Sequence, residues 1–458
     1  MQYTNFYELV SAIYKEFDKE CNSSDQLELT TRNLKEALQG RKEAENYFLD
    51  YVDKYLYKKK LADTDIEYPS YYESLVDGIY QENWGLAGMS EWFTPPYERS
   101  SSAKIIGDRI YFMKNGRLNL MPQRIDEERR KKLVAKLLSI KPDERKDKDV
   151  NEIYLIDGTR VTIFNESVSK KNREDQYLDS VVFRRYIVPE YTFEEQAKNH
   201  TIPVEAIALF KTMVKLGYNI AITGAVRTAK STFLATWQSY EDTTLEGVLL
   251  ETDPEIPIHE LMPTAPIMQI VTNDDNLQKI LKHILRSDAD YIIMGEGRDG
   301  ISVDTFLRVA NKGTRRCKIT FHNRFPQNLP YDMATEIIRT EGGTIAHTAE
   351  KVAQSIDYIF HFIQLQDKSQ KRLDGMYELS VDYENGNITV AQICKYQANT
   401  DTWVWNQEYH IASSHRKSGI KENAEMFALF EKQLADLGKQ FPMDDKEWQQ
   451  AHAMLNYR

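Results

Sequence analysis

Cysteine, glycine and proline are all scarce in this chain of 458 residues. The three cysteines, Cys21, Cys317 and Cys394, are odd in number and far apart, which excludes a disulfide framework or a cysteine-built metal site. A reducing, intracellular compartment fits best. With 20 Gly and 14 Pro the chain is neither collagen-like nor a low-complexity linker. Long apolar runs are missing, so nothing reads as a membrane span. The opening MQYTNFYELV has no basic segment followed by an apolar core and cleavage site. Attachment to a membrane protein stays open. An excess of positive charge is missing too: 59 Lys plus Arg against 70 Asp plus Glu gives −11. Phosphate backbones and anionic lipids repel such a chain unless its basic residues cluster, which argues against nucleic acid as a partner.

What is present is an ordinary globular composition, 41% apolar and 28% charged, with room for about two to four domains. Residues 1–95 are rich in Tyr, Lys and Glu. Leu34 and Leu38, then Tyr47, Tyr51 and Tyr55, recur four apart, as on one helix face. From 96 to 190 the spacing predicts a small α+β domain. AKIIGDRIYFMKNGRLNL carries turns at Gly107-Asp108 and Asn115-Gly116, a helix follows over DEERRKKLVAKLLSI, and EIYLIDGTRVTIFNE turns at Asp157-Gly158 before the strand DSVVFRRYIV. From 191 to 395, helices alternate with short buried strands, as in a mostly parallel sheet covered on both faces. Leu277, Ile280, Leu281, Ile284 and Leu285 mark one apolar helix stripe. Segments 355–392 look like antiparallel strands, the last two joined at Asn385-Gly386, and 396–458 reads as a helical tail.

After the strand YNIAIT comes Gly224-Ala225-Val226-Arg227-Thr228-Ala229-Lys230-Ser231-Thr232, which fits G-x-x-x-x-G-K-[ST] except at Ala229. A strand-to-helix junction suits phosphate because main-chain N–H groups and the helix N-terminus converge there. Lys230 then reaches the β and γ phosphates, and Ser231 binds Mg²⁺. Ala229 adds a Cβ that costs about 1–2 kcal/mol if the position is left-handed. The plainer reading is a helix starting at a sheet edge.

Further acids follow at strand ends. YIIMGE ends on Glu296, the leading candidate for orienting the attacking water or Mg²⁺; a solvated or capping Glu is the alternative. GVLLETDPEI carries Glu251, Asp253 and Glu255, near the same phosphates or on a solvated turn. CKITFH ends on His322, a γ-phosphate sensor or a structural histidine. Arg184, Arg185, Arg298, Arg315 and Arg316 have the guanidinium chemistry of phosphate clamps, or are surface charges.

The order GAVRTAKST, ETDPEI, LRSDADYIIMGEGRD, NKGTRRCKITFHNR and VAQSIDYIFHFIQLQDKSQKRLDGMYEL resembles the secretion-system ATPase superfamily of type II secretion, type IV pili and conjugation. It looks most like the Tad-type pilus assembly branch. The resemblance spans about Ile105 to Val390. It implies a RecA-like P-loop NTPase domain in an α/β fold, preceded by the small α+β domain and the helical region. It implies a Walker A site at Lys230 and Ser231, a Walker B acid at Glu296, an Asp-box at Glu251 and Glu255, a His-box at His322 and a nucleotide-facing basic pair at Arg184 and Arg185. It implies ATP and Mg²⁺ as cofactors, a hexameric ring with nucleotide between the N- and C-terminal domains, and an inner-membrane platform protein as partner at the cytoplasmic face. Arg227 and Ala229 stand where the family's G-x-T-G-S-G-K-T loop has glycines, and Thr314 where it has the histidine of T-G-H. The function this implies is a cytoplasmic ATP-hydrolysing motor. The alternatives are a non-hydrolysing ring scaffold with a degenerate loop, and a nucleic-acid motor on the same core.

Overall fold

The computed structural model describes residues 5–455 apart from 22–23, 62–65, 142–148, 156, 174, 186–189, 253, 273, 285, 383, 385, 407–422 and 445–451. The expectations placed on Asp253, on Leu285 and on the turn residue Asn385 therefore lie outside the described residues. Two compact units divide the chain, Met1–Ile187 and Val188–Arg458.

The first unit opens with helices α1 (Phe6–Glu20), α2 (Ser24–Leu38), α3 (Lys42–Lys58) and α4 (Leu75–Asn83). Asn5 and Ser74 cap α1 and α4 by accepting from Glu8 N and Asp77 N, both at 3.0 Å. Aromatic packing holds them: the Trp84 ring lies 4.9 Å from Phe17 and 5.0 Å from Phe48. On α3 the buried face runs through Ala44, Phe48, Val52, Tyr55 and Leu56, so of the tyrosine stripe Tyr55 is buried. Tyr47 and Tyr51 are half-buried.

Strands β1 (Ser102–Ile106), β2 (Arg109–Lys114), β3 (Arg117–Arg124), β4 (Val150–Tyr154), β5 (Arg160–Phe164) and β6 (Ser180–Arg184) form an antiparallel sheet in the order β3-β2-β1-β6-β5-β4. Asn115 and Gly116 are both left-handed, with φ 50° and 71°, as a two-residue hairpin turn needs. Helix α5 (Glu127–Leu138) is pinned to the sheet by buried Arg130, which donates to Asp179 Oδ1 (2.8 Å) and to the carbonyls of Gly107 (2.9 Å) and Tyr177 (3.1 Å).

The second unit is α/β. Helices α6 (Phe193–Lys198) and α7 (Ile207–Leu216) precede β7 (Ile220–Gly224), α8 (Lys230–Ser239), β8 (Gly247–Glu251), α9 (Ile258–Leu261), β9 (Ile267–Val271), α10 (Asp274–Ile284) and β10 (Tyr291–Gly297). Then come α11 (Gly300–Ala310), β11 (Lys318–Phe321), α12 (Leu329–Glu341), α13 (Ile345–Ser355), β12 (Tyr358–Gln364), β13 (Lys371–Val381), β14 (Ile388–Gln397) and β15 (Thr402–Trp405). The order β12-β7-β11-β10-β8-β9 is parallel throughout. β13, β14 and β15 extend it antiparallel from β12. β12 thus pairs both ways, and the strand run after residue 355 is not purely antiparallel.

β7 and β8 are buried along their whole length, which explains the unbroken apolar text of IAITG and GVLLE. Apolar cores lie on both sheet faces, one built around Phe210, Phe233, Trp237 and Phe360, the other around Val248, Phe306, Met333 and Val352. Helix Ala424–Gln440 joins the first through Phe427, Phe430, Leu434 and Leu437. Among the described residues no helix is long and apolar enough to cross a membrane.

Candidate functional site

Parallel strands deliver their following loops to one sheet edge, and in open α/β sheets ligands bind in the crevice outside those carboxyl ends. Here that edge gathers the ends of β7, β8, β10 and β11. β11 stands between the loop-bearing strand β7 and the acid-bearing strand β10, which is the RecA-like arrangement.

The loop after β7 keeps the conformation of a phosphate cradle without its usual glycines. Arg227 (φ 66°) and Ala229 (φ 74°, ψ 21°) are both left-handed. Each Cβ there costs about 1–2 kcal/mol. Two positive-φ residues flanking Thr228 curl the chain tightly just before α8, the kind of turn that gathers main-chain N–H groups toward an anion. Gly224 has no substitute: its φ is 140°, and a Cβ would fall 2.2 Å from the Phe362 carbonyl oxygen. Thr228, buried, donates to Ala225 O at 2.9 Å and closes the loop, while Val226 is 62% exposed at its crest. Thr232 follows on α8, half-buried, its carbonyl 3.5 Å from Gln196 Nε2.

Lys230 is 8% exposed and turns its ammonium back into the cradle, donating to Gly224 O (3.1 Å) and Ala225 O (2.8 Å). Burial pulls its pKa down to about 8, against the attraction of Glu296 and Glu255. Its Nζ is also 3.4 Å from His322 Nδ1, and His322 Nε2 is 2.9 Å from Glu296 Oε1. A carboxylate only accepts, so Nε2 carries the proton and Nδ1 accepts from the ammonium. His322 therefore links the loop lysine to the acid of β10. Glu296 also receives Arg298 Nε at 2.6 Å. Burial pushes the Glu296 pKa up, but His322 and Arg298 together outweigh it and hold the carboxyl below its ordinary value.

Ser231 Oγ donates to Glu255 Oε2 at 3.0 Å. A hydroxyl and a carboxylate at the helix start are hard oxygen donors that suit Mg²⁺, which takes one or two protein oxygens and fills its remaining positions with phosphate and water. The cradle fits a triphosphate as well: the loop opens on the N-terminus of α8, and the Lys230 ammonium turns into it. Glu251, by contrast, is 5% exposed and spent on structure. Its Oε1 accepts from Glu255 N (3.0 Å) and Ile256 N (3.1 Å), and its Oε2 from Gln269 Nε2 (2.8 Å). Burial lifts its pKa to about 7 despite those bonds. Glu251 holds the backbone that presents Glu255. Gly295 lets it lie there, since a Cβ at 295 would sit 2.8 Å from Glu251 Cγ.

Two further arginines of this unit lie away from the loop. Arg315 donates to Leu216 O (2.7 Å), and Arg316 to Val214 O (2.9 Å), Lys215 O (3.0 Å) and Glu241 (2.6 Å). They satisfy the end of α7 at the opposite sheet edge and do not reach this chain's own loop, because they precede β11 instead of following it. Arg184 and Arg185 belong to the first unit. Arg184, half-buried, ends β6, and Arg185 stacks over Trp92 at 4.1 Å while donating to the carbonyls of Ser100 (3.0 Å), Trp92 (3.1 Å) and Tyr97.

Two participants escaped the sequence reading. Gln269 of β9 fixes Glu251, and His361 of β12 bonds Thr223 Oγ1 at 2.8 Å directly before the loop. Burial, then the Lys230 charge, drives the His361 pKa down to about 4, so the ring is neutral. The available signal was a polar letter inside an apolar strand, in IMQIV and YIFHFIQ.

The strand order and the strand-loop-helix of β7 and α8 define a RecA-like P-loop fold. No protein-family model matches the chain, and no curated protein does. Among solved structures it is similar to the VirB11 ATPase of the Brucella suis type IV secretion system, at 15% identity and TM-score 0.33 over 63% of this chain and 95% of that one. It is similar to the Legionella pneumophila ATPase DotB, at 14% identity and TM-score 0.45 over 78% and 92%. It is also similar to the pilus retraction motor PilT, at 15% identity and TM-score 0.43 over 77% and 93%.

Proposed function

We propose that this protein is an ATP-hydrolysing motor of a secretion or pilus assembly system. The carrying observation is the chain of contacts Lys230–His322–Glu296 beside Ser231–Glu255, in which the start of α8, the end of β10 and the loops after β8 and β11 meet at one sheet edge. The cradle residues 224–232 bind the phosphates, Lys230 exchanging its loop carbonyls for phosphate oxygens. Ser231 and Glu255 hold Mg²⁺, which when bound neutralises charge on the β and γ oxygens. Glu296, kept ionised, accepts a proton from the attacking water as ATP and water become ADP and phosphate. His322 holds that carboxylate and registers, through Lys230, whether phosphate is present. Arg184 and Arg185 contribute from the first unit, as the motif resemblance implies. The same resemblance supports a hexameric ring at the cytoplasmic membrane face, driving a platform protein by nucleotide-linked movement between domains.

The test is steady-state ATP hydrolysis. Lys230→Ala should lose nucleotide binding, and Glu296→Gln should bind Mg·ATP while turning over ~10²–10⁴-fold more slowly. Equal rates in wild type and both variants would leave only the scaffold reading, which the two non-glycine loop residues favour.

A further inference from the structure

Of the two strained loop residues, one carries a cation. Alanine at 229 adds a methyl group, whereas Arg227, exposed, carries a guanidinium on a backbone conformation that glycine adopts without strain. Strain of this kind persists where a site uses it. β12 runs parallel to β7 with Phe362 opposite Gly224, so the turn that follows, residues 365–370, stands beside the loop. That turn is firmly built. Asp367 Oδ1 accepts from Ser369 N (2.9 Å) and Ser369 Oγ (2.7 Å), Leu365 N bonds Gln370 O (3.0 Å), and Gln364 Nε2 donates to Lys368 O (2.7 Å). It ends on half-buried Lys371, whose Nζ donates to Ser369 O at 3.0 Å. Burial chiefly lowers the pKa of Lys371; the Asp367 carboxylate opposes that, and the Arg227 charge adds to it. The two cations therefore lie within each other's field although they come from separate elements. A phosphate chain placed within reach of both would be attracted by each.

Resting on the nucleotide reading above, we propose that Arg227 and Lys371 form a second cationic arm of the cradle, which closes on the phosphate chain of the bound nucleotide. Arg227 acts as an arginine supplied in cis, its planar fork taking two phosphate oxygens where glycine offers only backbone. Lys371 adds a point charge from the neighbouring strand. The loop thus replaces conformational ease with an extra ligand.

Strain and charge predict opposite outcomes for one substitution. Arg227→Gly relaxes the backbone, so if the side chain merely fills its position, affinity for Mg·ATPγS by isothermal titration calorimetry on the full chain is equal or tighter. As a phosphate ligand, its loss weakens binding ~10-fold or more despite the easier backbone. Arg227→Lys then recovers part of the affinity, Lys371→Gln weakens in the same direction, and binding to Arg227→Gly depends less steeply on salt. Ala229→Gly, which removes strain without changing charge, should bind more tightly and calibrates the backbone effect. Melting curves report whether each variant is folded. A wild type that binds no nucleotide overturns both the parent reading and this proposal. A wild type that binds, with Arg227→Gly as tight or tighter, overturns this proposal alone.

Discussion

Glu251 separates the roles of the acids that follow β8. Three donors converge on it and it is almost wholly buried, yet burial still lifts its pKa from 4.5 to about 7. A carboxyl raised by folding binds its proton more tightly in the native state than in the unfolded chain. Stability contributed by this group is therefore full below about pH 4.5 and is lost as pH rises through about 7. Thermal melting between pH 5 and 8 should show that decline, and Glu251→Gln should flatten it. An unchanged slope would mean that the carboxylate is better solvated than its contacts indicate. Glu255, next to the Ser231 hydroxyl, is the acid left for the proposed metal-holding role. Letters alone distinguish neither acid, since both read as strand-end carboxylates; the tertiary neighbour Gln269 makes the difference.

At the scale of elements, the loop helix α8 is tied down at both ends. Its start is the cradle. Just past its C-terminus Glu241, fully buried, pairs with Lys318 of β11 at 2.8 Å and Arg316 at 2.6 Å, and the Lys318 ammonium lies 4.6 Å over the Tyr291 ring. A buried charge that loses its partner is costly, so Glu241→Ala should destabilise the protein by about 3–5 kcal/mol in denaturant unfolding. Glu241→Ala combined with Lys318→Met should regain much of that. If the single substitution costs under about 1 kcal/mol, water reaches the pair and the anchor is weak. Periodicity made these helices and strands legible, because burial on both faces leaves its own apolar signature. It could not show that Arg315 and Arg316 serve α7, for that depends on which end of β11 meets which helix.

At the scale of the whole molecule, the two units hold separate apolar cores, with Trp92 and Phe183 in one and Trp237 and Phe360 in the other. A ring motor converts nucleotide state into movement only if protomers assemble. Light scattering with Mg·ATPγS should therefore report six protomer masses, and a monomer at all concentrations would remove the motor while leaving nucleotide binding intact.

The sequence by itself determined the strand-loop-helix of residues 220–239, the acids at strand ends and the alternation that builds a parallel sheet. These are local in the chain, fixed by neighbouring residues and by burial period. Only the tertiary structure decided that Ala229 and Arg227 hold left-handed backbone, that His322 bridges Lys230 and Glu296, and that Gln269 and His361 support the site from other strands. Those contacts arise from the order of strands across the sheet, a property of packing that no window of sequence contains.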